Sequence, residues 1–304
     1  MSKTLIQYAA QYDPGVQGLA RIIAGTSIFI ELLPVEPVVG LVHRFGSLTY
    51  EGGVATRSLN DPFPATQGSV TSPGAERVII AGAQAKTDVR LARSRPDEIA
   101  RRTRAVSRFV DAQIIRGEGV IAQQRLIGLN TALSGDQVMS GGDLGANGSH
   151  LHLWMFNALL DAVEDQGPGR FVVMNRDCAR QLKTELTGDA GGATVADFTG
   201  EIGEYEGVKL HVAGKDHDGN PLLDFNETMG TCDATASMYA FAPGTDEAAT
   251  GVKILLATNG IQLIEEGIRD SQYVDTIELA FGRAIYHPKA AARLKGIKHS
   301  LDVA

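Results

Sequence analysis

Four places in this 304-residue sequence carry residue types and spacings that could do chemistry. His150 and His152 form an H-x-H pair of imidazoles, a usual donor set for zinc, but no third ligand lies near them in sequence. Asp216, Asp218 and Asn220 imitate the opening of a calcium loop; the glycine stands at 219 and Pro221 follows, which breaks the order such a loop needs. Asp218-Gly219 reads instead as a hairpin turn. Cys178 falls in an expected helix just after a buried strand, where a thiol packs as a small hydrophobe. The glycines at 142, 145 and 148 lack the G-x-G-x-x-G spacing and follow a loop, and no G-x-x-x-x-G-K-[ST], G-x-S-x-G or H-E-x-x-H occurs. No catalytic set, cofactor site or metal site is therefore assigned. What remains is charge. The segment EEGIRDSQYVD (265–275) concentrates Glu265, Glu266, Arg269 and Asp270. Arg101, Arg104 and Arg108, spaced three and four apart, share one helix face.

Those charges need elements to carry them. From Ser94 the text SRPDEIARRTRAVSRFVDAQIIRGEGVIAQQRLIGLN reads as a helix of about 30 residues, roughly 45–50 Å long. Ser94 with Asp97 has capping-box spacing and Pro96 suits the first turn. Ile99, Val106, Val110, Ile114, Ile121 and Ile127 lie along one side, and Gly117 and Gly119 are expected to bend or weaken the helix. From Gly251 the chain reads as strand, tight turn, strand, charged turn, long strand, then a short helix opened by Pro288. Val38–Gly53 and Glu76–Arg93 read as two strands around a polar, Pro/Gly-rich tip, a protruding hairpin. The middle holds an apolar helix from Leu151, a buried strand Phe171–Asn175, a helix capped by Asn175, a strand near Gly207–Gly214, and a turn in Lys215–Pro221. Residues 1–38 show recurrent Gly and Pro with no sustained apolar period, the text of an arm that drapes over neighbours.

Composition sets the outer limits. Hydrophobic residues at 43% and charged residues at 21% support a real core. A net charge of −8 argues against a surface that neutralises nucleic acid throughout. Two cysteines without a CxxC suit a reducing cytoplasm. The N-terminus lacks a secretory layout, and the apolar runs Ile22–Ile30 and Leu151–Val163 are too short to span a bilayer, so no membrane is expected.

The order of these parts resembles the major capsid protein of tailed double-stranded DNA bacteriophages, with the HK97-type fold. Four stretches carry the likeness: AQQRLIGLN with Leu126 and Gly128; LLDAVEDQGPGRFVVMNRDCARQLKTEL; GEYEGVKLHVAG; and FGRAIYHPKAAARLKGI. The resemblance implies an α+β fold with an N-terminal arm (1–38) and an extended β-hairpin loop (39–93). It further implies a peripheral domain of long spine helix and long strands (94–134 and 251–283) and an α+β axial domain (135–250 and 284–304). The implied function is structural: self-assembly as hexamers and pentamers into an icosahedral shell around a double-stranded DNA genome, in a virion assembled in a bacterial cytoplasm. Tyr50, Arg57, Asn60 and Asp61 of the loop, and Glu265, Glu266, Arg269 and Asp270 of the charged turn, become candidate intersubunit contacts. Arg101, Arg104 and Arg108 would face the interior, and packaged DNA would be held only weakly by so acidic a chain. The implied partners are further copies of the chain, a portal protein, a separate scaffolding protein and a decoration or cement protein.

An encapsulin-type compartment shares the fold; the flexible arm favours the phage shell over that family's helical N-terminus. An enzyme with an unrecognised α+β site is the alternative from another class. One departure from the phage family is chemical. Its founding member welds subunits by a lysine–asparagine isopeptide bond with the lysine on the extended loop, yet no lysine occurs here between Lys3 and Lys86. Arginine cannot form that bond. Mature particles boiled in detergent are expected to run as a band near the 32.3 kDa monomer; a covalent ladder would contradict this.

Overall fold

The computed structural model describes residues 3–50, 56–57, 59, 69–119, 125–140, 147–163, 169–188, 203–245 and 250–300. Its first 38 residues are not a draped arm. They form helices α1 (Leu5–Ala9), α2 (Pro14–Ala24) and α3 (Ile28–Leu32), then strand β1 (Val35–Val38). Thr4 and Gln7 make a reciprocal capping box on α1, Pro14 opens α2, and the Ser27 hydroxyl accepts from Ile30 N–H to cap α3. Leu5, Leu19, Ile23, Phe29, Ile30 and Leu33 are buried in one core with Val110, Ile114 and Phe281. Two of these helices have only five residues, too few to show a period. Gly15 and Gly18 of α2 face solvent with nothing near them, so their cost to the helix is one of propensity alone.

The spine helix α4 (Arg95–Arg116) has 22 residues, about 33 Å at 1.5 Å per residue, shorter than the sequence suggested. Its glycines end it instead of bending it. Gly117 leaves the helical region at ψ 133°, and Gly119 takes φ +66°. A Cβ on Gly117 would stand 2.2 Å from the Leu126 carbonyl oxygen, because the chain doubles back: Gly119 N–H donates to Leu126 C=O and Gly128 N–H to Gly117 C=O, both at 2.7 Å. Ile121 lies outside the described residues and Ile127 is half exposed. The start also differs. Ser94 makes no cap; its hydroxyl donates to the Leu91 carbonyl at 2.8 Å, closing a 3-10 turn over Val89–Ser94. Asp88 caps that turn by accepting from Arg90 N–H, so the preceding strand stops at Asp88, before Val89 and Leu91.

Two sheets are built around α4. The first has the order β1-β10-β11-β3-β2. Strands β2 (Val42–Tyr50) and β3 (Ser69–Asp88) are the predicted hairpin, paired from Val42–Arg77 to Tyr50–Ser69. β10 (Val252–Arg269) and β11 (Gln272–Ile285) meet at Asp270-Ser271, both at positive φ (48° and 62°), the two-residue turn that matches strand twist. β1 joins β10 in parallel. The second sheet runs β4-β12-β9-β5-β7-β6, with β8 also on β9. Its strands are β4 (Val138–Ser140), β5 (Phe171–Met174), β6 (Gly203–Tyr205), β7 (Val208–Val212), β8 (Glu227–Met229), β9 (Cys232–Phe241) and β12 (Ala291–Lys298). The residues after Pro288 are thus a strand, with a single 3-10 turn before it, and not a helix.

Helices α6 (Leu153–Asp161) and α7 (Arg176–Gly188) cover one face of the second sheet through Phe156, Leu159, Cys178 and Leu182. The short α5 (Leu129–Ala132) follows the reversal after α4. Where the sheets meet, Phe241 of β9 stacks on Phe171 at 5.0 Å and takes the edge of Phe29 at 5.5 Å. An N-terminal ring therefore closes the junction between sheets. Phe29→Ala should cost the chain about 3–5 kcal/mol in denaturant unfolding; a segment that merely draped over neighbours would leave that stability unchanged.

Candidate assembly surfaces

The residues with catalytic potential do not converge. Among the described residues there is no group of three or more His, Cys, Asp or Glu able to hold a metal ion. His152 Nδ1 lies 3.5 Å from Glu185. Burial pushes the Cys178 thiol well above its ordinary value, with the neighbouring Asp177 charge adding to it, so it stays a packed thiol. Asp216 organises the predicted turn. Its carboxylate accepts from Asp218 and Asn220 N–H, at 3.0 and 2.9 Å, and from Arg116 at 2.6 Å, tying the turn to the end of α4.

The charged hairpin end is drawn largely into its own subunit. Arg269 pairs with Glu266 at 3.2 Å. Glu266 also accepts from Thr276 Oγ1 at 2.5 Å and Gln84 Nε2 at 3.3 Å; these bonds, Thr276's first, hold its carboxyl below the usual range. Glu265 lies 3.2 Å from Arg95. Arg95 is anchored by Asp275, which accepts from Nε at 2.8 Å and Nη2 at 2.6 Å in a forked pair. Asp275 is fully buried. This pair was not singled out from the sequence, though an acid in phase with Ile277 and Leu279 on the core side of β11 was its signal. Asp270 stands exposed at the turn, and Ile264 and Ile268 of β10 are exposed beside it.

On α4, Glu98 accepts from Arg101 at 2.5 Å and Arg102 at 2.9 Å, and its carboxyl is held low chiefly by the Arg101 bond. Arg104 and Arg108 are exposed, and neither makes an ion pair among the described residues. Tyr50 pairs with Ser69 through the backbone at the outer end of the hairpin. Arg57 is exposed, while Asn60 and Asp61 lie outside the described residues.

The hairpin root holds a cluster that sequence spacing could not reveal. Tyr286 donates to Glu36 at 2.8 Å, His43 Nε2 lies 2.9 Å from the Tyr286 hydroxyl, and Phe45 packs on the Tyr286 ring at 4.7 Å. Lys253 approaches Glu36 at 3.4 Å. Next to it Val39, Leu41, Val42 and Ile80 are exposed; Val39, Leu41 and Ile80 line one depression with Ala257 and Ala280. Trp154, the one tryptophan, is half exposed on α6. Contiguous exposed apolar residues of this kind mark contact surfaces.

Neither a family model nor a curated protein sequence matches the chain. Solved structures do. The holo-SrpI encapsulin complex of Synechococcus elongatus is similar over 91% of this chain and 89% of its own, with TM-score 0.64 and 13% identity. The capsid of the native GTA particle is similar over 90% of each, with TM-score 0.57 and 15% identity. The capsid of Ralstonia phage GP4 matches over 90% of this chain and 89% of its own, with TM-score 0.56 and 9% identity. The fold is the HK97-type shell fold. Its α+β architecture agrees with the resemblance read from the sequence.

Within that fold the buried fork under the hairpin end is a stability element. Asp275→Asn should destabilise the subunit by about 1.5–3 kcal/mol, the range for hydrogen bonds to charged groups, while Glu265→Gln at the exposed partner should change stability by less than about 1 kcal/mol. Parallel thermal melts of the two variants check the contrast.

Proposed function

We propose that the chain is the subunit of a closed icosahedral shell, assembled through hexamers and pentamers, and that the shell is the capsid of a tailed double-stranded DNA phage. The observation that carries this reading is the shared fold over about nine-tenths of the chain with shell proteins, phage capsids prominent among them. The role is structural and not enzymatic: the exposed apolar residues lie where another subunit could bury them. Portal, scaffolding and decoration proteins would be its assembly partners. Arg104 and Arg108 would supply a weak, salt-screened contact to packaged DNA, since a chain of net charge −8 does not draw DNA in by itself.

A second reading, an encapsulin-type compartment, is favoured by one observation. Residues 5–33 are helical and packed on the chain's own core, so the flexible arm that spoke for a phage shell is not there to decide. Contents separate the two. Purified particles holding nuclease-protected double-stranded DNA support the capsid; particles holding a stoichiometric protein cargo and no DNA support the compartment. A small oligomer on size-exclusion chromatography and no particles in negative-stain micrographs would remove both.

The hairpin end of β10 and β11 is proposed to touch other capsomers near three-fold positions, with Asp270, Glu265 and Glu266 of one chain facing Arg269 of another. Arg269 is exposed and its Glu266 pair is a surface pair, worth about 0–1 kcal/mol and easily exchanged for an intersubunit one. Arg269→Glu should abolish particles while the subunit melts as wild type. Normal particle yield from this variant would refute the contact.

A further inference from the structure

Asp111 lies in the second half of α4 and is buried. Its Oδ1 accepts from the Ser27 hydroxyl at 2.5 Å and its Oδ2 from Ile28 N–H at 3.2 Å. Both donors belong to the first turn of α3, and the same hydroxyl caps that helix by accepting from Ile30 N–H. A carboxyl group is thus shut inside the seam between the spine helix and the N-terminal helices. No cation faces it. Arg21 of α2 and Glu31 of α3 are exposed, as are Arg104 and Arg108 of α4 and Arg90 and Arg93 before it. Arg116 is engaged by Asp216 and Arg95 by Asp275. Lys86 and Arg77 of β3 are exposed, and Arg283 of β11 is buried and faces Glu76 of β3 at 3.9 Å. The residues of α5 carry no charge.

We propose that Asp111 and Ser27 form a pH-responsive clasp, which holds the N-terminal helices against α4 while the carboxyl keeps its proton and loosens them as that proton is lost. Burial without a counter-charge favours the neutral acid. Desolvation pushes Asp111 up to about 7, against the opposing pull of the Ser27 hydroxyl and the Ile28 and Phe29 N–H groups. In an opened segment the same acid titrates near 3.9. The closed form therefore binds the extra proton between about pH 4 and pH 7. Its advantage is complete below pH 4, declines as pH rises, and is gone once pH passes about 7. Loss of the proton to solvent leaves a buried anion, and opening α3 lets water reach it. The clasp depends only on the packing of residues 19–33 on α4, so it stands or falls separately from the shell reading.

Hydrogen exchange of peptides spanning 19–33 in the full chain, corrected for intrinsic exchange rates, measures the opening. The opening constant should rise about fiftyfold between pH 5 and pH 7 and level off above pH 8. Asp111→Asn, which keeps an acceptor and cannot ionise, should flatten the profile. Ser27→Ala removes a bond that favours the anion, so its levelling-off should move to higher pH. A wild-type profile that is flat, or one that Asp111→Asn leaves unchanged, overturns the clasp. Should the asparagine variant not fold, the Ser27→Ala profile decides: an unmoved levelling-off overturns it as well.

Discussion

From Val110 to Ile115 the spine helix has six successive buried residues and no solvent face. A helix buried on every side must be enclosed on every side. That demand dictates the rest of the arrangement: β3 and β11 supply one wall, α2 and α3 another, and the doubled-back chain at Gly117–Gly128 closes the end. The N-terminal helices are consequently part of the core. Without them Val110 and Ile114 would lose a wall, and Phe29 would leave the Phe171–Phe241 pair open at the seam between sheets.

What could be read in the sequence was local. The buried strand Phe171–Met174, the Asn175 cap and the turn in Lys215–Pro221 each follow from neighbouring residues and form as expected, whereas the hairpin forms with its second strand at Ser69–Asp88 instead of Glu76–Arg93. Features set by distant partners were missed. Five-residue helices in 5–33 carry no period, and their caps together with burial in the shared core hold them. The helix was read through Gly117 because its apolar positions continued in phase to Ile121 and Ile127. What stops it is the carbonyl of Leu126 lying against Gly117, a contact with no trace in spacing. The residues after Pro288 looked helical, yet Ala291–Lys298 pair with β9 and β4, where tertiary pairing outweighs the alanines' propensity.

The candidate surfaces divide along the same line. Charge density at 265–275 was visible, but the partners that neutralise it were not, since Arg95 is 180 residues from Asp275. Once those pairs form, the hairpin end shows mainly Asp270, Arg269 and the apolar Ile264 and Ile268. A contact there would combine modest charge with burial of apolar area. The Glu36, His43, Tyr286 and Lys253 cluster was beyond reach for the same reason, joining β1, β2 and β10 to the residue after β11, with Glu36 and Tyr286 250 residues apart.

β3 is a single strand in which two mechanical roles meet. Residues 78–88 are fastened along β11, whereas 69–77 are paired with β2 alone. The strand is a cantilever: a clamped length inside the body and an overhang of about 30 Å at 3.3 Å per residue. The rings of Tyr286 and Phe45 pack along the inner part of the overhang, where Phe45 pairs with Gly74. A tilt of about 5° at the clamp carries the far end through about 2–3 Å with that overhang, while the core keeps its contacts. A neighbour met at a slightly different angle would then flex a beam, and the cost of that adjustment would fall on two strands instead of on the whole chain.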